Sequence, residues 1–327
     1  MATKIKRTID IREFMLEIIL VVMIAVFAIV APGFFSINNG LNVLRNVSMQ
    51  GIIAFGMTLV IISGEIDLSV GSAVAFAGCL SAYMTKHLSA AESGALPETA
   101  AIIISMITAL SVGFGIGVGV GVFRTRFKVP TFITTLALMT ALTGAGNLLT
   151  KGFPITPYPE WYNFFGGGYV LGIPFPAIIF IVVFAAMLFL TNYTTFGRSV
   201  YAIGGNQEAA RLSGIKVARN KILIMALVAV LAALAGLLNS SQIMSGTAST
   251  ARGWELNVIS AVIIGGVSLQ GGSGRIWGTF IGVIFLGVMI NGMTMLNVSE
   301  YWQYVVKGLL ILGAVLMNQI QDLRKET

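Results

Sequence analysis

Ten apolar runs follow one another along the chain, at roughly 14–31, 41–62, 69–85, 99–123, 130–149, 174–192, 220–245, 255–269, 276–296 and 302–320. Most approach the ~20 residues that an α-helix needs to cross about 30 Å of hydrocarbon. The pattern predicts an all-α, polytopic membrane protein with about ten transmembrane helices. No long polar stretch separates the runs, so residues 1–327 read as a single transmembrane domain. Two stretches interrupt the pattern. In Gly64–Ser72, Glu65 and Asp67 break the apolar run, and Gly265–Gly278, which contains Gly271 and Gly272, is too glycine-rich and polar for lipid contact. A carboxylate in mid-span costs about 2.5–3.5 kcal/mol. Glu65 and Asp67 are therefore expected away from lipid, at the cytoplasmic end of the second span. Asp67 is expected to cap the third helix, with Ser69 and Ser72 in its first turns. The glycines predict a broken or re-entrant helix, tolerated only inside protein or beside a water-filled cavity.

Composition agrees. Of the 327 residues, 56% are hydrophobic and 10% charged, and the mean hydropathy is +0.90; soluble domains carry about 25% charged residues. The net charge of +7 would suggest nucleic acid in a soluble protein, but here the basic residues lie between apolar runs and read as a topology signal. With the N-terminus in the cytoplasm, fifteen of the 20 Lys and Arg fall inside, and Arg45, Lys86, Lys151, Arg252 and Lys307 fall outside. An even number of spans returns the C-terminus to the cytoplasm. The outer loops carry Glu92, Glu98, Glu160 and Trp161 as a water-facing rim. Lys4, Lys6 and Arg7 before the first run resemble a signal peptide, but the run is long and no A-x-A site follows, so it reads as a retained span. The single cysteine, Cys79, reads as a packed thiol and excludes an internal disulfide or a cysteine-rich metal site. His87 reads as a solvated loop residue, and no metal site is expected.

Four further features bear on mechanism. The basic stretch Thr194–Val217 predicts a helix of about eight residues, with Asn206 as N-cap, Glu208 in the first turn, Arg211 in the last and Gly214 at the stop. So short a helix is marginal alone. Ala209, Ala210 and Ser213 allow close approach to a docking surface, although an ordinary amphipathic surface helix has the same signature. In Val112–Val122, Gly113, Gly117 and Gly121 share one helix face and Gly115 and Gly119 another, spacing that lets helix backbones meet. Ile263–Arg275 resembles a phosphate loop but lacks the Gly-Lys-Ser/Thr ending, so any ATPase must be another chain. Asn42, Asn46, Gln50, Asn147, Asn239, Gln242, Asn257 and Asn291 lie within spans. Uncharged amides suit a neutral polyhydroxylated solute, and equally suit interhelical hydrogen bonds.

Four strings together resemble one family. They are G-M-T-L-V-I-I-S-G-E-I-D-L-S-V-G-S (Gly56–Ser72), V-P-T-F-I-T-T-L (Val129–Leu136), G-R-S-V-Y-A-I-G-G-N-Q-E-A-A-R-L-S-G-I (Gly197–Ile215) and E-L-N-V-I-S-A-V-I-I-G-G-V-S-L-Q-G-G-S-G (Glu255–Gly274). In order and spacing, over nearly the whole length, the chain resembles the permeases of bacterial monosaccharide ABC importers. Two positions depart from the family: Glu65 stands where a glycine or other uncharged residue is usual, and Asn257 where an aspartate is usual. The resemblance implies a multi-pass protein of the bacterial inner membrane that moves a monosaccharide by alternating access. It implies a second permease copy, identical or paralogous, a cytoplasmic ABC ATPase that binds the ATP, and an extracytoplasmic sugar-binding protein. It also implies that Gly204–Gly214, with Gly204, Gly205, Asn206, Glu208, Ala209, Ala210, Arg211, Ser213 and Gly214, is the ATPase-coupling element, and that the chain itself is not an enzyme and needs no cofactor. Related permeases for branched-chain amino acids or nucleosides share the glycine-rich architecture. An ion-driven transporter would need buried carboxylates near mid-membrane. An intramembrane enzyme would need Glu65 and Asp67 to converge, although two residues apart on a helix they point apart.

Overall fold

The computed structural model describes residues 14–91, 94–156 and 158–326, the last ten of these by their backbone alone. Lys4, Lys6, Arg7, Arg12 and Glu92 lie outside the described residues. Helices α1 (Met15–Val30), α2 (Ile37–Ile62), α3 (Val70–Leu88), α4 (Glu98–Arg126) and α5 (Thr131–Thr150) open the chain. After a single 3₁₀ turn at Glu160–Tyr162 come α6 (Asn163–Gly167) and a small hairpin of β1 (Tyr169–Val170) and β2 (Ile173–Pro174). The rest is α7 (Phe175–Tyr193), α8 (Thr195–Gly205), α9 (Gln207–Leu212), α10 (Val217–Ile243), α11 (Trp254–Ile264), α12 (Ile276–Met295) and α13 (Glu300–Glu326). The hairpin pairs Tyr169 with Pro174 and Val170 with Ile173, antiparallel. Its turn, Leu171–Gly172, has both φ values positive (50° and 80°), which matches the twist of so short a ribbon.

Ten of these helices fall on the ten predicted apolar runs. Among the described residues, however, six are long and apolar enough to cross a membrane: α2, α4, α5, α7, α10 and α12. The expected count of about ten is not reached: α1 has 16 residues and α11 only 11, α3 has 19 but carries Lys86 and His87 in its last turn, and α13 is described by side chains only as far as Leu316. At 1.5 Å per residue, α11 covers about 16 Å, half of a hydrocarbon core.

Local signals explain most boundaries. Ser36 caps α2 by accepting from the Asn39 N–H at 3.2 Å. Pro97, Pro130 and Pro174 precede α4, α5 and α7, where a proline leaves no helical donor unsatisfied. The core is α2 and α10: 83% and 72% of their apolar windows are buried, against 17% for α5. A helix apolar all round and buried all round belongs in the interior, whereas α4, α5 and α7 keep a lipid-type face. Phe55 of α2 stacks on Phe180 of α7 at 5.2 Å, and Phe180 stacks on Phe280 of α12 at 5.4 Å.

The glycine face of α4 packs as its spacing predicts. A Cβ on Gly117 would stand 2.3 Å from the Met225 carbonyl oxygen, one on Gly121 2.5 Å from the Ile222 Cα, and one on Gly113 2.9 Å from the Ala233 Cβ. Gly115 and Gly119, on the other face, meet nothing within 4 Å. The α4 backbone therefore lies directly on α10.

Three expectations change. Asp67 does not cap α3: Ser69 is the N-cap residue, already near helical geometry, and the Asp67 carboxylate accepts from the Ser69 N–H (2.7 Å) and hydroxyl (2.6 Å) in the turn ahead of the helix. His87 is exposed but helical, in the last turn of α3, with its ring stacked on Tyr83 at 4.1 Å. The stretch between α10 and α11 is not a plain outer loop. A Cβ on Gly246 would be 2.4 Å from Ala82, Ala248 lies 3.2 Å from the Cβ position of Gly146, and the Ala251 carbonyl 2.8 Å from that of Gly71. The chain thus runs back alongside α3 from Ala82 to Gly71, and with α11 makes one discontinuous crossing.

Gly117→Val is expected to force α4 off α10, at about 1–3 kcal/mol, whereas Gly119→Val stays within about 0.5 kcal/mol. Thermal melting of the two variants in detergent checks this; equal melting points would contradict the packing.

Candidate functional site

Four of the in-span amides converge. Asn46 and Gln50 from α2, Asn257 from α11 and Asn291 from α12, with Thr294, line a cavity of about 200 Å³ whose remaining walls are apolar. Asn46 and Gln50 lie one helical turn apart and so share a face. Their side chains make no hydrogen bond to another described residue. Asn291 and Asn39 exchange two amide hydrogen bonds, each 2.9 Å, tying α12 to α2 at the rim. The ammonium of Lys307 on α13 donates to the Asn257 oxygen at 3.3 Å. Lys307, in the outer half of the predicted run 302–320, lies on α13 beside the cavity.

The other four amides lie elsewhere. Asn42 is exposed on α2 and lines neither cavity. The Asn239 oxygen accepts from the Thr250 hydroxyl at 2.8 Å, which pins the returning segment to α10. Asn147 donates to the Thr143 carbonyl of its own helix at 2.8 Å. Gln242 lines neither cavity, and its main chain lies 2.2 Å from where a Cβ on Gly166 would be.

A second cavity, about 230 Å³, opens on the other side of the start of α11, between α3 and α5. Ser72, Thr143, Thr250, Arg252 and Glu255 face it. The Glu255 carboxylate rests on Gly71, where a Cβ would stand 2.2 Å from the Oε2 atom. Gly236 of α10 packs on Val74 and Gly78 packs on Ser240, so this level lies in the second half of α10. The sequence reading assigned neither Arg252 nor Glu255 to a site. The signal was present, since the rule that flagged Glu65 as an acid in an apolar run applies equally to Glu255.

At the opposite end from the hairpin lies the basic end of the bundle. Here α8 and α9 form a helix pair. Thr194 caps α8 by accepting from the Gly197 N–H at 3.1 Å, and Asn206 caps α9 by accepting from the Ala209 N–H at 2.9 Å. The predicted cap, first-turn acid, last-turn base and stop are all in place, with Gly214 at φ +83°. The helix is shorter than the expected eight residues: six, about 9 Å. Gly204 and Gly205 are not part of it but end α8, a helix where the sequence pattern predicts loop. Asn206, Glu208, Ala209, Arg211, Leu212, Ser213 and Gly214 are exposed, while Ala210 faces inward. Arg211 and Glu208 pair at 2.5 Å on the outer surface, holding the Glu208 carboxyl below its usual range.

The two breaks frame this end. Ser63–Ser69 separates α2 from α3, and Gly265–Arg275, with Gly271 and Gly272 at φ +87° and +73°, separates α11 from α12. Glu65 and Asp67 do not converge on each other. Asp67 serves Ser69, and Glu65 accepts from Arg124 (2.6 Å), Thr131 (2.7 Å) and Lys221. Burial alone would raise the Glu65 pKa; the hydrogen bonds from Lys221, Thr131 and Arg124 outweigh it and hold the carboxyl below its usual range. This arrangement gives no general acid–base pair.

Comparison with known proteins agrees with this architecture. The family model described as branched-chain amino acid transport system / permease component matches residues 39–315. The ribose import permease protein RbsC of Bacillus subtilis (strain 168) is 44% identical over 302 residues, covering 92% of this chain and 90% of that protein. The probable ABC transporter permease protein YphD of Escherichia coli (strain K12) is 42% identical over 308 residues, 94% of this chain and 90% of its own length. The L-arabinose transport system permease protein AraH of the same organism is 36% identical over 325 residues, 96% and 93% of the two chains. No solved structure matches the chain. By match length and identity alike, the chain belongs to the branched-chain amino acid transport system / permease component family.

Proposed function

We propose that the protein is the membrane-spanning permease subunit of an ATP-binding-cassette importer, translocating a monosaccharide by alternating access. The observation that carries this reading is the 44% identity to a ribose import permease over nine-tenths of both chains. The cavity supports it. Its amides donate and accept without fixed charge, as a neutral polyol requires, and two of them are left for a ligand. The ten predicted spans are then the six long helices together with α1, α3, α13 and the discontinuous crossing through α11. Both termini lie in the cytoplasm of a bacterial inner membrane, and the basic end faces inward.

In this reading α8 and α9 dock on a cytoplasmic ATPase, which binds the ATP. An extracytoplasmic sugar-binding protein delivers solute, and a second permease copy completes the pathway. An exposed leucine, Leu212, beside a paired Glu208 and Arg211 is the mixed apolar and charged surface expected of a docking site rather than of a solvated loop. A second reading, import of a branched-chain amino acid, is favoured by the other cavity: Arg252 and Glu255 offer one charge for each end of a zwitterion.

Proteoliposomes holding the permease, its ATPase and its binding protein are expected to take up D-ribose with ATP and no ion gradient, and to ignore leucine. Leucine uptake instead would establish the second reading, and uptake that needs the ion gradient would refute both. Glu208→Arg, which sets a second cation beside Arg211, is expected to lower uptake at least about fivefold, the scale of an interface anchor, with membrane insertion unchanged; normal coupled uptake would remove α9 from the docking surface. Replacing Asn46 and Gln50 together by leucine is expected to depress uptake at least about fivefold with little loss of melting temperature, since neither amide holds the fold. Replacing Asn291 by leucine leaves the Asn39 amide only its bond to the Phe34 carbonyl and lowers stability by about 0.6–2 kcal/mol.

A further inference from the structure

Residues Ile62–Glu65 are held from two sides. On one side the contact is backbone against backbone. The Gly272 N–H donates to the Ile62 carbonyl at 2.8 Å. A Cβ on Gly204 would stand 1.7 Å from the same oxygen, and one on Gly271 3.1 Å from it and 3.2 Å from the Gly64 nitrogen. The end of α8 and the break before α12 therefore rest directly on the last residue of α2. On the other side is the Glu65 side chain, only about 5% exposed, which gathers the Arg124 guanidinium from the last turn of α4, the Thr131 hydroxyl from the first residue of α5 and the Lys221 ammonium from the first turns of α10. Lys221 is 6% exposed and Arg124 29%. Taking such ions out of water costs several kcal/mol per ion unless their lone pairs and protons are satisfied. Here one carboxylate oxygen takes both cations and the other takes the hydroxyl.

We propose that Glu65 is a positioning residue that couples the docking pair α8–α9 to the solute cavities, by tying the α2–α3 break to α4, α5 and α10. The proposal rests on the reading of α8–α9 as the ATPase-docking element. A shift of α8 is felt at Ile62, because glycine backbones leave no side chain to yield between them. From Ile62 it passes along α2, which carries Asn46 and Gln50. Through Glu65 it passes also to the start of α5, which carries Thr143 into the second cavity. α10 follows α9 in the chain and α4 lies on α10, but α5 has no link of either kind to the docking pair. The break reaches α5 through the Glu65–Thr131 bond at the start of that helix and, one turn on, through the Leu68 N–H to the Thr135 hydroxyl. A carboxylate held by three donors on three helices transmits displacement as one body, whereas a neutral side chain there would let the helix ends slide past the break.

The experiment uses the full transporter in proteoliposomes and reads solute moved per ATP hydrolysed, with D-ribose as probe. The triple variant Glu65→Gln, Arg124→Gln, Lys221→Met removes the whole ionic group without leaving a lone charge, so the fold survives. It is expected to keep its melting temperature, its binding of the ATPase and its ATP hydrolysis, while uptake per ATP falls about threefold to tenfold. Thr131→Val, which deletes the Glu65 bond to α5 alone, is expected to lower the ratio by a smaller factor. A ratio equal to the parent's in both variants overturns the proposal, as does a ratio that falls only in step with melting temperature. Failure of the docking reading looks different: Glu208→Arg would then leave ATPase binding intact, whatever Glu65 does.

Discussion

Everything in this fold answers to the demand that a peptide group in an apolar layer find its hydrogen-bond partner within the protein. Helices meet that demand alone. The irregular stretches cannot, and each is wrapped by other elements. Ser63–Ser69 spends its polar groups on Thr135, on Asp67 and on helix carbonyls, with the Leu68 N–H donating to the Thr135 hydroxyl at 3.1 Å. The segment returning from α10 exchanges two hydrogen bonds with Ile155 at Gly246. Gly265–Arg275 gives its Gly272 N–H to Ile62. In the last two cases glycine is what lets one backbone reach another.

The same demand decides where motion and chemistry can be built. A continuous helix has no spare backbone polar group and offers a solute only its side chains, as α2 does with Asn46 and Gln50. A discontinuous crossing frees side chains at mid-depth, and here the start of α11 sets Asn257 toward one cavity and Glu255 toward the other. A break at the basic end gives the docking pair a backbone to press on. The breaks are therefore the working parts, and the long helices α2 and α10 are the frame that holds them.

Charge is distributed by the same logic. Arg211 and Glu208 stand in the open, where an ion pair adds little to stability and serves recognition. Glu65, Arg124 and Lys221 are buried together, where leaving any one unpaired costs far more than the pair returns. The sequence reading had reason to keep Glu65 out of lipid but no means of finding its partners, which lie 59 and 156 residues away.

What the sequence determined by itself was local. Apolar runs of membrane length, the Asn206 cap with Glu208, Arg211 and Gly214 at helical offsets, and the face shared by Gly113, Gly117 and Gly121 all rest on interactions within a few turns of one helix, and the periodicity of a helix writes them into the chain. What only the tertiary structure decided was convergence. Asn46, Gln50, Asn257 and Asn291 meet while Asn42, Asn147, Asn239 and Gln242 do not, although all eight look alike in sequence. Which face of a helix turns inward depends on neighbours hundreds of residues away. The returning segment before α11 was hidden for a related reason: it is held by contacts to α3 and α5, so nothing in its own composition distinguishes it from an outer loop. The contact of Lys307 with Asn257, and α8 as a helix, were hidden likewise, since both are set by what they pack against.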